Sequence, residues 1–407
     1  MLSLIWCGFF IVAFVSALVQ TFSGNFEIWS NISTALFSTA HLGFKIALDL
    51  TGILCFWLGL MKIAEQSGLT EILAKLLKPL FYKIMPELKH NSPAFGAIVM
   101  NIAANILGLD NAATPMGIKA MELLQNENKS KVEASNAQIL FMVINSSSVT
   151  LIPITILMYR FQAGSTTPSA VFIPILIATS ISTISGFLAT AWCQKINIFN
   201  KVVMSYLLGS IAFIFITVWG FNNLDEQSRT IVSKIVSNAI LYGLVICFLV
   251  FGIIKKLNVF EVFINGAKDG FKTAAQIIPY LVSMLAAIGV FRASGALDYI
   301  VDFIKTCVMK VGGNTDFVYA LPTAIMKPLS GSGARAMMLD TFSTYGVDSF
   351  AGFASSIVQG STETTFYVLA VYFGAVKITQ TRSALPLALF ADFVGIVSAI
   401  ILAYMFY

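Results

Sequence analysis

Residues 360–374 read GSTETTFYVLAVYFG, and residues 145–159 read NSSSVTLIPITILMY. In each, a short polar run feeds an apolar, helix-forming one. Set in register, Glu363 takes the place of Ser148. A charge at the centre of a bilayer helix costs roughly 2.5–3.5 kcal/mol on insertion scales, so an intramembrane carboxylate marks a candidate functional site. Whether these stretches lie in a membrane is decided by the rest of the chain.

Of 407 residues, 57% are hydrophobic and 11% charged, against about 25% charged in an ordinary soluble domain. Mean hydropathy is +0.84. Several uncharged runs of about 20 residues are each long enough to cross roughly 30 Å of hydrocarbon. The expected class is an all-α polytopic membrane protein. Leu2–Val19 has no Lys or Arg before it, and the first basic residue is Lys45, so this run is read as a retained span rather than a signal peptide. The five cysteines are scattered and show no metal or disulfide spacing. The net charge of +5 belongs to membrane-flanking loops, and no nucleic-acid patch is present.

The match between 145–159 and 360–374 is one of a series. GFKIALDLTGIL matches GFKTAAQIIPYL, EQSGLTEIL (65–73) matches RASGALDYI (292–300), and IKAMELL (118–124) matches ARAMMLD (334–340). The separation drifts slowly in one direction along the series, so one unit occurs twice, as it does in many secondary transporters. The division is 1–200, a joining helix at 201–225, and 226–407. Each unit has an apolar span (2–20; 231–254), a second (42–62; 274–291), and an amphipathic segment. In the first unit that segment lines Leu69, Ile72, Leu73, Leu76, Leu77 and Leu80 along one face; in the second it lines Leu297, Ile300, Val301 and Ile304. Such helices lie along a membrane surface. A Gly/Ala/Asn/Ser/Pro-rich stretch follows (93–120; 316–339), then a polar-interrupted span and a clean one.

The Gly/Pro-rich stretches are read as re-entrant hairpins. With both re-entrant there are about nine spans, and 16 of 25 basic residues fall on one side. Full crossings would spread them almost evenly, so the positive-inside rule favours hairpins. The N-terminus is then inside and the C-terminus outside, and the two units are inverted repeats, each with one interfacial helix.

Four polar clusters carry the candidate site. Asp110, Asn111 and Thr114 sit at the first hairpin tip, as helix caps or facing a solute. Asn145, Ser146, Ser147 and Ser148 lie in the first interrupted span, either packed between helices or unwound before Pro153. Ser330, Ser332 and Arg335 in PLSGSGAR form an anion nest, or a flexible tip with Arg335 paired to Asp340. Ser361, Thr362 and Glu363 mark the second interruption, where Glu363 faces a cavity or pairs with Arg335 or Lys327. Asn105, Asn145, Ser148 and Glu363 are the candidates for coupling to a sodium ion or a proton. Asp392 in the last span is a further candidate, or caps a kink. No other cofactor is expected.

LGLDNAATPMGIKAMELL (107–124) resembles spore maturation protein A. PYLVSMLAAIGVFRASGALD (279–298), ALPTAIMKPLSGSGARAMM (320–338) and QGSTETTFYVLAVYFGAVK (359–377) resemble spore maturation protein B. The chain looks like a fusion of the two families, which carry the gate, or nucleoside-recognition, domain. That domain is similar to the core of concentrative nucleoside transporters, whose first hairpin aligns with Asn101, Asn105, Asn111 and Pro115. Ala112 and Ala113 stand where that family has threonine and the nucleoside-contacting glutamate. The resemblance therefore implies the hairpin but not the nucleoside. It also implies the bacterial cytoplasmic (inner) membrane.

The leading functional reading is a secondary transporter with one midplane site built from two hairpins and two broken helices. Lys327 and Arg335 point to a small anionic or zwitterionic solute. The alternative is an ion-conducting gate similar to that of the ferrous-iron transporter, although no cysteine lies in either hairpin. An enzyme is not expected, because His41 and His90 lie outside the motifs and leave a serine nucleophile without a base. The partners are the solute and the lipid bilayer, with homo-oligomerisation left open.

Overall fold

The computed structural model describes every residue except Met1, His90, Asn91, Leu109 and Ile152; the side chains of residues 2, 110–112, 222, 226, 227, 229, 230 and 234 are also left undescribed. The first part of the chain forms α1 (Leu2–Phe22), α2 (Ile28–Gln66), α3 (Leu69–Ile84), α4 (Ala94–Ile106), α5 (Asp110–Glu127), α6 (Asn136–Ser146), α7 (Ile154–Gln162) and α8 (Phe172–Gln194). After α9 (Lys201–Asn222) come α10 (Glu226–Ile254), α11 (Val259–Ala293), α12 (Ala296–Lys310), α13 (Leu321–Leu329), α14 (Gly331–Tyr345), α15 (Phe350–Gly360), α16 (Thr365–Ala375) and α17 (Ala384–Phe406). Among the described residues, 7 helices are long and apolar enough to cross a membrane. The chain is a polytopic membrane protein.

The matched sequences fold alike. In EQSGLTEIL and RASGALDYI the glycines, Gly68 and Gly295, adopt φ of 80° and 72°. This left-handed conformation suits glycine, which has no Cβ to clash. Ser67 donates its hydroxyl to Ala64 O and Ser294 donates to Phe291 O, closing the end of the preceding helix in the same way. The chain then turns into α3 or α12. Glu71 in the first turn of α3 and Lys83 in its last complement the helix dipole.

Two segments extend the sequence reading. The helices that contain the second spans, 42–62 and 274–291, are longer than those spans: α2 runs for 39 residues and α11 for 35. At 1.5 Å per residue α2 is about 58 Å long, well beyond one hydrocarbon thickness. The extra length is retained because the two helices pack antiparallel along one another, so each gives the other a partner over its whole course. On α3, Leu69, Leu73, Leu77 and Leu80 of the expected face pack against the core, with Thr70, Ala74, Phe81 and Ile84 buried beside them, while Ile72 and Leu76 of that face point outward. On α12, Leu297 and Val301 are buried and Ile300 is exposed. The outward apolar residues leave each helix with a second greasy edge.

The α2–α11 seam is made of backbone. A Cβ on Gly270 would lie 2.6 Å from Cys55 Cα, and one on Gly266 would lie 2.5 Å from Leu58 O. On α2, a Cβ on Gly43 would lie 2.9 Å from Val282 Cα. Small residues let helix backbones approach this closely in lipid.

α4 and α5 pack on each other, as do α13 and α14. The two ends of the first pair stay together: Ser92 hydrogen-bonds Glu127, and Asn136 donates to Glu87 Oε1 at 2.6 Å. At the second pair the rings of Tyr319 and Tyr345 meet at 4.8 Å between centroids. The broken helices are tied at both ends by loops from opposite halves. Before α6, Val132 O accepts from Gln380 N at 2.9 Å and Glu133 pairs with Arg382 at 3.3 Å. After α7, Arg160 pairs with Asp348 at 2.8 Å, and Thr166 N–H donates to Asp348 at 2.8 Å.

Candidate functional site

The two polar interruptions are helix breaks. α6 ends at Ser146 and no helix resumes until Ile154, after Pro153, which has no N–H to give to a ladder. α15 ends at Gly360, and Ser361–Thr364 are non-helical before α16. In lipid the freed backbone groups need internal partners, and several pair across the breaks. Glu363 N–H donates to Ser146 O at 2.8 Å, so the second break is bonded to the first. Leu151 N–H donates to Ile106 O at 2.9 Å, joining the first break to the end of α4. Thr183 on α8 donates its hydroxyl to Ser147 O.

One cavity of about 370 Å³ is lined by both helix pairs and both breaks. The first helix pair contributes Asn105 and Gly108, and the first break Ser148, Thr150 and Pro153. The second pair contributes Lys327, Gly331 and Arg335, and the second break Thr362, Glu363 and Thr364. Apolar residues of α2, among them Leu54 and Trp57, close one wall. Lys327 is 5% exposed, Arg335 lies over the Tyr159 ring at 5.5 Å, and Glu363 is exposed. Two cationic side chains and one carboxylate thus share one cavity wall.

The candidate residues divide by where their side chains point. Asn105, Ser148, Arg335, Thr362 and Glu363 line the cavity. Ser146 and Ser147 instead donate to Val143 O, and Ser361 donates to Val358 O. These three hydroxyls are buried and cap their own helix ends. Asn145 is also buried, and its Oδ1 is fully used: it accepts from Asn105 at 2.8 Å and from Tyr372 at 3.2 Å, while Nδ2 donates to Phe141 O. Ser330 caps α14 by accepting from Gly333 N at 3.0 Å and lies 3.2 Å from Ser332 Oγ; neither hydroxyl lines the cavity. Thr114 is half-buried in α5, away from the cavity lining. The side chains of Asp110 and Asn111 lie outside the described residues. Arg335 does not pair with Asp340, because Arg292 holds that carboxylate through Nε at 2.8 and 2.9 Å.

Tyr372 is absent from the sequence candidates. Its hydroxyl bridges Asn145 and Asn101 between α16, α6 and α4. A tyrosine within an apolar half-helix is a usable signal, since a buried phenol needs a partner.

The Gate family, described as nucleoside recognition, matches residues 47–162. Spore maturation protein B of Bacillus subtilis (strain 168) is 48% identical over 154 residues, 38% of this chain and 85% of that protein. Spore maturation protein A of the same organism is 39% identical over 188 residues, 46% of this chain and 93% of that protein. No solved structure matches.

Proposed function

We propose a transport function from one premise: the chain belongs to the spore maturation protein A/B family, having relatives of both kinds. In this reading it is a secondary transporter that moves a small anionic or zwitterionic solute. The carrying observation is the single cavity to which both helix pairs and both breaks contribute. Lys327 and Arg335 attract a carboxylate or similar anion, and Glu363 holds an amine or balances a cation. Bonded breaks between packed helices are where a solute site forms in transporters of this architecture.

The inverted-repeat reading has its own support. Each helix of 2–194 has a counterpart of similar kind, in the same order, within 226–406. The tie at the start of α6 uses the loop after α16, and the tie at the end of α7 uses the loop before α15. The two ties thus exchange the roles of the halves at opposite ends of one broken helix. Seven continuous helices and two broken ones make nine spans, and the paired ends of α4–α5 and α13–α14 favour re-entrant hairpins over crossings. The basic residues then put the N-terminus in the cytoplasm. Cysteines placed at Lys129 and Lys256 should label only from inside intact cells' membranes, and one at Asp225 only from outside. Labelling of 129 and 256 from opposite faces would remove the hairpin arrangement.

The solute reading is tested on purified protein with a panel of carboxylates, amino acids and small zwitterions, scored by melting temperature. A cognate solute should raise it in wild type. Arg335→Gln should weaken that binding roughly 10-fold or more, the cost of a charge-assisted hydrogen bond. If every stabilising solute binds Arg335→Gln and Glu363→Gln as tightly as wild type, the cavity is not the solute site.

A further inference from the structure

Directly behind the cavity wall lies a carboxylate that the solute site does not use. Asp392 on α17 is 1% exposed, and neither of its oxygens has a hydrogen-bond partner. The hydroxyls of Thr362 and Thr365 lie close enough to interact with it, but neither makes a well-formed hydrogen bond. Thr362 is 3% exposed and Thr365 0%. Thr362 also packs on α17 next to Asp392: a Cβ on Gly395 would lie 2.5 Å from its Cγ2. On the far side Ser182 of α8 donates to Ala391 O at 2.9 Å and fixes α17 there. Lys327 and Glu363 are the charged groups facing the carboxylate.

Four buried oxygens, none with a well-formed hydrogen bond, therefore gather around Asp392. Burying a carboxylate without hydrogen bonds costs several kcal/mol, and Lys327, the cation facing it, also lines the solute cavity, so a solute anion draws on the same positive charge and leaves Asp392 in want of another. The ligand atoms are all oxygen, the choice of hard cations. A single carboxylate balances a single positive charge, which suits a monovalent occupant. We propose that Asp392, Thr362 and Thr365 form a monovalent-cation site that takes a sodium ion or a proton. Because Thr362 also lines the solute cavity, filling the site and filling the cavity act on the same unwound residues. This deepens the transport reading above, and the coupling role rests on it. It also moves ion coupling away from Asn145, whose Oδ1 already accepts two hydrogen bonds.

The test uses the purified full-length protein without solute, so it can fail separately from the transport reading. Melting temperature is followed against NaCl, with ionic strength held by choline chloride, and against pH between about 5 and 9. With sodium as occupant, wild type should rise by about 3 °C or more and saturate. Asp392→Asn should show no rise, and Thr365→Val a right-shifted one. With a proton as occupant, sodium should do nothing, wild type should melt lower as pH rises, and Asp392→Asn should lose that slope. If Asp392→Asn does not fold, the Thr365→Val variant and the two wild-type titrations decide. A wild type flat in both sodium and pH overturns the proposal, as does a variant that responds just as wild type does.

Discussion

Replacing Gly270 with leucine should sharply lower the stability of the fold. The first atom of the new side chain would meet Cys55 Cα at 2.6 Å and Leu54 O at 2.8 Å. Those atoms belong to the backbone of α2 and cannot rotate away, so the two helices must separate along their length. Gly266 one turn earlier and Gly43 on the facing helix sit just as tightly, so the strain spreads rather than relaxing. Overpacking costs typically 1–3 kcal/mol and more where backbone must move. Set against a stability of about 5–15 kcal/mol, this should lower the melting temperature by on the order of 10 °C. The comparison is Gly209→Leu on α9, where nothing lies within 4 Å of a Cβ. Equal yields of monodisperse protein from the two variants would mean the seam does not hold the fold.

The second large effect is expected at Arg160. Its side chain is 1% exposed and donates to Val347 O at 3.0 Å, Ser356 Oγ at 3.1 Å, Ser165 Oγ at 3.2 Å and Asp348 at 2.8 Å. Arg160→Ala takes the arginine donor from all four acceptors; Asp348 keeps Ser165 and Thr166, and Ser165 keeps Thr167 N–H. Breaking a buried pair costs about 3–5 kcal/mol. The low end applies because Asp348 is 36% exposed and water can reach it. In a double-mutant cycle, Arg160→Ala and Asp348→Ala should couple by about 1 kcal/mol or more, and simple additivity would remove the clamp. Partial burial opposes charge on Asp348, but hydrogen bonds from Ser165 and Thr166 and the Arg160 charge outweigh it and hold its carboxyl below the ordinary value. A depressed carboxyl adds stability that is complete above its unfolded value of about 3.9 and fades as pH falls below it. Wild type should therefore lose this contribution only in acid, and Asp348→Asn should remove that part of the acid sensitivity.

The breaks could be read from the sequence because their cause is local. NSSSVT and GSTETT place hydroxyls, an amide and a carboxylate where a span should be apolar. The paired Ser-Gly turns are local too. Side-chain direction is not: Ser147 and Ser148 are neighbours with the same chemistry, yet one bonds back to Val143 and the other lines the cavity. Asp340 shows the same limit at longer range. Arg335 is nearer in sequence, but Arg292 on α11 arrives in better geometry. The lengths of α2 and α11 depend on a partner more distant still. A glycine spacing such as 266 and 270 is visible in the sequence, whereas the helix it fits is not.

The seam also has a consequence for the order of synthesis. α2 is made early, and its partner α11 leaves the ribosome only after residues 67–258 have been inserted. Throughout that interval the glycine face of α2 has no α11 to pack on, and the cavity lacks the lining that α11 and the later helices supply. Closing a loop of this length adds little entropic cost over a shorter one, but it must wait for the whole segment to be laid into the bilayer. The closing of α2 on α11 is thus a late step, taken between helices that have already crossed. A variant that weakens the seam should accumulate as inserted but unclosed chain, with its first half exposed to degradation before any solute has a place to bind.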